Sequence, residues 1–290
     1  MAPFKVIIVG GGLSGALLAN GLLNNNVDVT VYERDVQHSK REGYQIRLGD
    51  AAIKALTLCC TEEHSTAILR KLGQSTGVTL TAPTLCNTKL EPVLDLSTLP
   101  AYSKSSAINR VVLRDLLLEP VNAKSSIKFG KAFQRYEIIS DDAGGDKVVV
   151  YFADGTSNTC DILIGADGSG SKVNKLVGAG NIVDIKTHWS FVSKGNVPME
   201  RLPELPSRLL KGPIITFSKG ISLFYSLYLP ASFDGRPQES VDSKIIYDAA
   251  QASYYWGLNI PKHLLPYNDI SEIKDRRQAC LDAIKDWAPD

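Results

Sequence analysis

The sequence predicts an α/β protein in which a parallel sheet with flanking helices is combined with a mostly antiparallel β region. Three features predict this fold: a strand–glycine turn–helix–strand pattern at the N-terminus, a second strand–glycine–helix pattern over 160–178, and aromatic-rich β-type stretches after Gly180. The chain has 290 residues, of which 44% are hydrophobic and 22% charged, which suits one large globular domain or two modest ones. A formal net charge of +1 gives no basic surplus, so we expect no nucleic-acid partner.

The stretch "VIIVGGGLSGALLANGLL", residues 6 to 23, has no charged residue and is about long enough to cross a membrane. Its glycines favour a different structure. "FKVIIV" is a β-branched run typical of a buried strand, and it stops at three consecutive glycines. Apolar residues then recur near helical spacing, and "VDVTVYE" reads as a second strand. The sequence therefore predicts a βαβ unit and no membrane span. Because it also has no signal-peptide pattern, we expect a cytoplasmic protein.

The glycines of this unit have the GxGxxG spacing of a dinucleotide site. Gly10 would make the tight turn, Gly12 would let the backbone approach a pyrophosphate, and Gly15 would let helix and strand pack closely. The phosphates would lie on the free N–H groups of the helix N-terminus, and the carboxylate of Glu33, at the end of the second strand, would accept hydrogen bonds from ribose hydroxyls. NAD and FAD both remain open at this point. The candidate binding residues are Gly10, Gly12, Leu13, Ser14, Gly15, Glu33 and Arg34.

The second motif, "CDILIGADGSGSKVNKLVG", spans 160 to 178. Its apolar run, 162–164, predicts a buried strand, and Ser171 is a suitable N-cap for the helix that follows. Asp167 at the end of the strand can accept hydrogen bonds from a polyol or ribose, and Gly168 permits close backbone approach. The alternative is an ordinary turn without a ligand.

Together the two motifs resemble those of the FAD-dependent aromatic-hydroxylase family, the single-component flavoprotein monooxygenases that include p-hydroxybenzoate and salicylate hydroxylases. The resemblance implies a Rossmann-like FAD-binding domain of the GR2 type with an interleaved, mostly antiparallel β substrate domain. It implies FAD as cofactor, NADPH or NADH and O2 as co-substrates, and a small aromatic, polyketide-like or terpenoid-like substrate. One oxygen atom would be transferred through a flavin hydroperoxide, giving hydroxylation or epoxidation.

The resemblance assigns two more residues to the cofactor. Arg110 lies near the start of the apolar-striped helix predicted over 108–118, where family members have an arginine that contacts FAD. Arg47 lies in "EGYQIRLGDAAIKAL", where a polar residue of the family touches the flavin. A solvated arginine is the alternative for both. The sequence indicates no general base and no metal-ligand spacing.

The domain organisation follows from the same resemblance. We expect an FAD-binding domain over 1–180 with inserted strands at about 75–105, a substrate-domain sheet over 181–268, and a C-terminal helix over 269–290. The family's third motif, GDAAH, is not found; "GDAAIKAL" at 49–56 is similar in letters but reads as a helix N-terminus. Two alternatives therefore remain open: a truncated, catalytically impaired FAD-binding relative, and another flavin-dependent oxidoreductase. Aromatic side chains after Gly180 would supply core and pocket walls.

The stretch over 126–156 predicts a meander of antiparallel strands joined by polar turns. "DDAGGD", at 141–146, is the clearest of these turns.

Overall fold

The computed structural model describes residues 4–37, 39, 45–73, 80–140, 145–229 and 252–287. The chain forms two compact units, and each is assembled from three chain segments. Unit 1 comprises Met1–Gly43, Ile53–Ile68 and Arg110–Val183, and unit 2 comprises Tyr44–Ala52, Leu69–Asn109 and Asp184–Asp290.

Strands and helices alternate in the first part of the chain, and strands dominate the remainder. The strands are β1 (Lys5–Val9), β2 (Asp28–Tyr32), β3 (Gln45–Gly49), β4 (Thr84–Cys86), β5 (Pro92–Asp95), β6 (Ser105–Asn109), β7 (Ile127–Lys128), β8 (Phe133–Ser140), β9 (Asp146–Phe152), β10 (Ser157–Cys160), β11 (Ile162–Gly165), β12 (His188–Val197), β13 (Ile214–Ser218), β14 (Ile221–Tyr228) and β15 (Ala252–Pro261). The helices are α1 (Leu13–Asn24), α2 (Asp50–Cys59), α3 (Glu62–Leu69), α4 (Arg110–Ala123), α5 (Lys172–Val177), α6 (Ser207–Leu210) and α7 (Arg276–Ala283). Among the described residues, no helix is both long and apolar enough to cross a membrane.

Unit 1 is built on a parallel four-stranded sheet with the order β11-β1-β2-β7. β1 is the most deeply buried strand: Val6 to Val9 are each at most 3% exposed, because a parallel strand is covered on both faces. The predicted βαβ pattern is confirmed by β1, α1 and β2, and the strand–glycine–helix order predicted for the second motif is confirmed by β11 and α5. The burial predicted for the strand over 162–164 is wrong: no residue of β11 is fully buried and Ile162 is 45% exposed, because β11 lies at the edge of its sheet. Since these strands run in parallel, their carboxyl ends meet at one edge of the sheet, which is where such folds bind ligands.

A separate antiparallel sheet, with the order β10-β9-β8, completes unit 1 and confirms the meander predicted after α4. β7 departs from that prediction, because it pairs in parallel with β2. The reason is its connection: β7 follows helix α4, and a helical crossover returns the chain parallel to its neighbour. The polar turn predicted at 141–146 falls largely outside the described residues.

Unit 2 contains a six-stranded sheet with the order β12-β15-β14-β13-β4-β5. All neighbouring pairs are antiparallel except β13 and β4, so the mostly antiparallel sheet predicted after Gly180 is confirmed. One face of β15 has the buried side chains of Leu258 and Ile260, whereas Ser253 and Tyr255 alternate to the opposite face. β3 and β6 form a second, two-stranded antiparallel sheet in this unit.

The C-terminal segment differs from the helix predicted over 269–290, of which the structure describes residues 269–287. The structure has a single 3-10 turn at Ile270–Glu272 and then the eight-residue helix α7. α7 begins late because Asp275 acts as its N-cap: the Asp275 carboxylate accepts a hydrogen bond from the Gln278 N–H at 2.8 Å.

Candidate functional site

The turn between β1 and α1 requires glycine at two positions. Gly10 has a φ of +108°, and a Cβ built there would lie 2.4 Å from the Ala166 carbonyl oxygen on the neighbouring strand connection. A Cβ on Gly15 would lie 2.1 Å from the Gly10 carbonyl oxygen. Both distances are shorter than any tolerable contact, so these glycines let the turn close and α1 approach the sheet.

Gly12 is in a different environment. It is the N-cap residue of α1, and a Cβ built on it would meet no atom of the described residues within 4 Å. In the described part of the chain, no side chain caps α1 and its first turn contains no acidic residue. The amides of the first turn, which includes Leu13 and Ser14, have no partners within the helix, and the helix dipole makes this end positive. The arrangement leaves an open, anion-attracting helix N-terminus beside a glycine turn.

Glu33 follows β2 and is turned toward the glycine turn. Its Oε2 accepts a hydrogen bond from the Gly11 N–H at 2.9 Å and lies 3.3 Å from a guanidinium nitrogen of Arg114. Its Oε1 accepts a hydrogen bond from the Asp35 N–H at 2.9 Å. Arg114 also donates from Nε to the Gly11 carbonyl oxygen at 2.8 Å. The pair is largely buried, with side-chain exposures of 14% for Arg114 and 9% for Glu33.

Arg114 contacts the glycine turn, and the sequence analysis did not identify it as a site residue. It lies on α4 one turn after Arg110, and residues spaced by four share a helix face. The sequence did contain a signal for Arg114. Because Arg110 was expected at the site, the arginine four residues later was a second candidate. Arg110 is the first residue of α4 and is half-buried, whereas Arg34 is exposed directly after Glu33.

Asp167 and Gly168 follow β11, whose partner strand is β1. The Asp167 carboxylate accepts hydrogen bonds from the Lys172 N–H at 2.7 Å and from the Ser171 hydroxyl, so it helps to cap α5. Ser171 Oγ in turn accepts a hydrogen bond from the Asn174 N–H at 2.9 Å, which confirms the predicted N-cap. Gly168 has a φ of +82°, and a Cβ built there would meet nothing within 4 Å.

Arg47, the remaining candidate, belongs to unit 2 and lies on β3. Burial lowers the pKa of its guanidinium to about 10, which still leaves it charged at neutral pH. The other candidates all belong to unit 1, where the uncapped N-terminus of α1 offers N–H donors for a phosphate and where Gly12 and Gly168 leave space among the described residues. In the part of the chain that the structure describes, no group of three or more His, Cys, Asp or Glu side chains could hold a metal ion.

Comparisons with known proteins identify one protein family. The family model "FAD binding domain" matches residues 3–200. The FAD-dependent monooxygenase dbaB of Emericella nidulans is 27% identical over 280 residues, covering 92% of this chain and 66% of that protein. The FAD-dependent urate hydroxylase of Mycolicibacterium vanbaalenii is 30% identical over 179 residues, covering 61% of this chain and 43% of that protein. The chain thus spans less than two thirds of the length of either relative.

Solved structures support the fold. Klebsiella pneumoniae HpxO in complex with FAD and uric acid superimposes with a TM-score of 0.65 at 20% identity, covering 99% of this chain and 63% of that one. The Rossmann-like fold class predicted from the sequence is therefore confirmed. With most of the chain matched by the family model, the protein is a member of the FAD-binding-domain family that contains the aromatic-hydroxylase-like FAD-dependent monooxygenases.

Proposed function

We propose that this protein is an FAD-dependent monooxygenase that uses NADPH or NADH and O2 to hydroxylate or epoxidise a small organic substrate. The observation that carries the proposal is the α1 N-terminus. Gly12 faces open space there, next to a turn in which Gly10 and Gly15 cannot be replaced without collision. An uncapped helix N-terminus of this kind suits a diphosphate. Bound FAD would supply the electron transfer and oxygen activation, and the protein would bind, orient and exclude water.

The residues around the glycine turn of unit 1 then have separate roles at the cofactor. The N–H groups of Gly12, Leu13 and Ser14 would bind the diphosphate. Glu33 would accept hydrogen bonds from the ribose: each carboxylate oxygen has about two acceptor positions, and Oε1 has one described partner, the Asp35 N–H. Arg114 would be a positioning residue, because it holds both the Glu33 carboxylate and the Gly11 peptide.

The five remaining candidates stay predictions carried over from the family. Arg34, Arg110, Asp167 and Gly168 would contact the cofactor near the same edge of the parallel sheet, and Arg47 would serve the flavin end. The names of the relatives support the reaction class, since one is an FAD-dependent monooxygenase and another an FAD-dependent urate hydroxylase.

The test begins with a visible absorption spectrum of the purified chain before and after addition of FAD. We expect a flavin spectrum that survives gel filtration. NADPH and NADH are then added anaerobically to follow flavin bleaching, and aerobically with candidate substrates to detect an oxygenated product. A chain that takes up no FAD would contradict the proposal. Flavin reduction without substrate oxygenation would instead indicate a different flavin-dependent oxidoreductase.

A further inference from the structure

A cavity of unit 2 lies on the face of the six-stranded sheet that includes the buried side chains of Leu258 and Ile260. Its volume is about 700 Å³, within the range of about 300–1,000 Å³ that is typical of small-molecule sites. Its lining includes two directly opposed pairs of residues on β14 and β15, Leu223 with Leu258 and Tyr225 with Trp256. Directly opposed residues of neighbouring strands share a face of the sheet, so both pairs belong to this face.

The cavity is a gap between two apolar clusters on this face of the sheet. One cluster packs α7 onto the sheet and has Trp256 as a partly buried member. The other surrounds the buried Leu202 and Leu227 and has Tyr225 as a partly buried member. Protein interiors are normally packed without voids larger than a water molecule. The gap therefore leaves an apolar wall that the described residues do not cover.

The gap extends across four neighbouring strands. In the spatial order β12, β15, β14 and β13, each strand contributes a lining residue: Phe191, Trp256, Leu223 and Ile214. Three strand spacings of about 4.8 Å give a span of about 14 Å across the sheet. Val192 and Leu281 also line the cavity and are 65% and 42% exposed, so the apolar wall continues to the surface. This shape suits an elongated apolar ligand that enters from the surface.

The charged residues in the described lining are two arginines. Arg276 and Arg277 lie in the first turn of α7 and are exposed, and no Asp or Glu belongs to the described lining. Neither guanidinium has an ion-pair partner among the described residues. The acids nearest to them in sequence bind elsewhere: the Asp275 carboxylate accepts the Gln278 N–H at 2.8 Å, and the Asp282 carboxylate accepts the Gln278 side-chain amide at 2.9 Å.

The titratable wall residues add no negative charge at neutral pH. Burial, together with the neighbouring Tyr254, raises the pKa of Tyr225 to about 12. Burial also raises the pKa of the Cys280 thiol. Both groups therefore stay protonated and neutral, and the formal charges of the described lining have one sign. An apolar cavity with positive charges beside it is complementary to an amphipathic anion.

We propose that this cavity binds a free acyl carboxylate, with the acyl chain along the sheet and the carboxylate at Arg276 and Arg277. The chain covers the apolar wall between the two clusters, and the guanidinium groups pair with the planar oxyanion. The site lies on the face of the sheet opposite to Ser253 and Tyr255, because side chains alternate along β15. It uses none of the residues assigned to FAD, so it is independent of the proposed monooxygenase function.

Three brominated probes with the same carbon chain test the head-group preference on the wild-type protein. 11-Bromoundecanoate is an anion, 11-bromoundecanol is neutral, and (11-bromoundecyl)trimethylammonium is a cation. Bromine quenches tryptophan fluorescence on contact, and Trp256 lines the cavity, so quenching reports binding. We expect saturable quenching, with the carboxylate bound about 5-fold or more tightly than the alcohol, the size of an exposed ion pair, and the cation bound most weakly. Equal affinity for the three probes would overturn the proposal without requiring any variant.

Charge variants then assign the preference to residues. Arg276→Gln combined with Arg277→Gln should remove the preference for the carboxylate over the alcohol. Lys274→Gln combined with Lys285→Gln is the matched control, because both lysines are exposed residues that flank α7 outside the lining and the variant loses the same charge. If the lysine variant loses the preference to the same extent, general electrostatics explains it and the proposal fails.

Tryptophan variants locate the bound chain. Trp256→Phe should remove most of the quenching by 11-bromoundecanoate, whereas Trp287→Phe should retain it, because Trp287 packs against the α7 cluster and does not line the cavity. The opposite result would place the probe outside the cavity and contradict the proposal.

Two further measurements separate this site from the cofactor site and from a membrane surface. The titration of 11-bromoundecanoate is repeated with saturating FAD, and we expect the same affinity. Displacement of the probe by FAD would place it at the cofactor site and overturn the proposal. The protein is also sedimented with phosphatidylglycerol vesicles, and we expect it to stay in the supernatant. Co-sedimentation would show that the apolar wall meets a bilayer, which would contradict a site for a free acyl carboxylate.

Discussion

Gly12 and Gly15 are separated by about one helical turn. A methyl group added at Gly12 would lie in open space, whereas one added at Gly15 would collide with the backbone. At Gly12 the backbone has an ordinary φ of −78° and the added Cβ would meet nothing within 4 Å. We therefore expect Gly12→Ala to change the free energy of unfolding by less than about 0.5 kcal/mol and yet to lower FAD affinity by about 10-fold or more, because the methyl group occupies the space of the diphosphate.

The matched variant is Gly15→Ala, whose Cβ would collide with the Gly10 carbonyl oxygen. It should lose about 1–3 kcal/mol of stability or more in urea unfolding, together with FAD binding. FAD titration and urea unfolding of both variants provide the measurement. Wild-type FAD affinity in Gly12→Ala would rule out phosphate contact at this helix end.

A second prediction concerns the coupling between Arg114 and Glu33. Removing one partner of a largely buried ion pair leaves an uncompensated charge, so Arg114→Met should lower the free energy of unfolding by about 3 kcal/mol. In a double-mutant cycle with Glu33→Gln, the coupling energy should lie between about 0.5 and 3 kcal/mol. Additive effects of the two substitutions would show that the pair does not act as a unit. Arg135→Met is the control, because its ion pair with Glu137 is exposed.

At the scale of elements, the sequence patterns predicted local units and missed pairings between distant segments. β1, α1 and β2 follow from a glycine turn between two periodic runs, and α5 from a serine cap. By contrast, α4 continues to Ala123 through Pro120, although proline usually ends a helix. β4 joins β13 across more than 100 positions of sequence, and no local pattern in a three-residue strand indicates that partner. The Arg114–Glu33 contact was missed for the same reason, since it requires knowing which helix packs beside the turn.

The turn between β9 and β10 makes the stability of the protein depend on pH in the acid range. Hydrogen bonds from Lys131 and then Thr156 hold the pKa of Asp154 at about 2, below its usual 3.8. A carboxyl whose pKa is lowered by folding contributes stability above its unfolded pKa, and this contribution disappears as the pH falls from about 4 toward 2. We therefore expect Asp154→Asn to flatten the acid limb of a plot of melting temperature against pH. Parallel acid limbs for wild type and variant, between pH values of about 5 and 2, would contradict this account.

At the scale of the whole molecule, the five cysteine thiols differ in burial. Cys59 is half-buried, whereas the other four are buried. Burial raises the pKa of Cys60 and of Cys160 to about 11, so their reactive thiolate forms are scarce at neutral pH. A chromogenic aryl disulfide should therefore modify Cys59 first and the others only on unfolding. Cys59→Ser should remove the fast phase, and an unchanged fast phase in that variant would refute the assignment.

The central position of β1 has a consequence for biosynthesis. The strand leaves the ribosome well before one of its two neighbours, β11, and before the Ala166 carbonyl that packs against Gly10, because both are encoded more than 150 codons later. Until that segment has emerged, β1 lacks one of its two neighbouring strands, and the glycine turn lacks the backbone that packs against Gly10. The nucleotide cradle is consequently completed only after β11 has been translated, and we expect nascent chains that end before β11 to retain no FAD, although they already contain the whole GxGxxG motif.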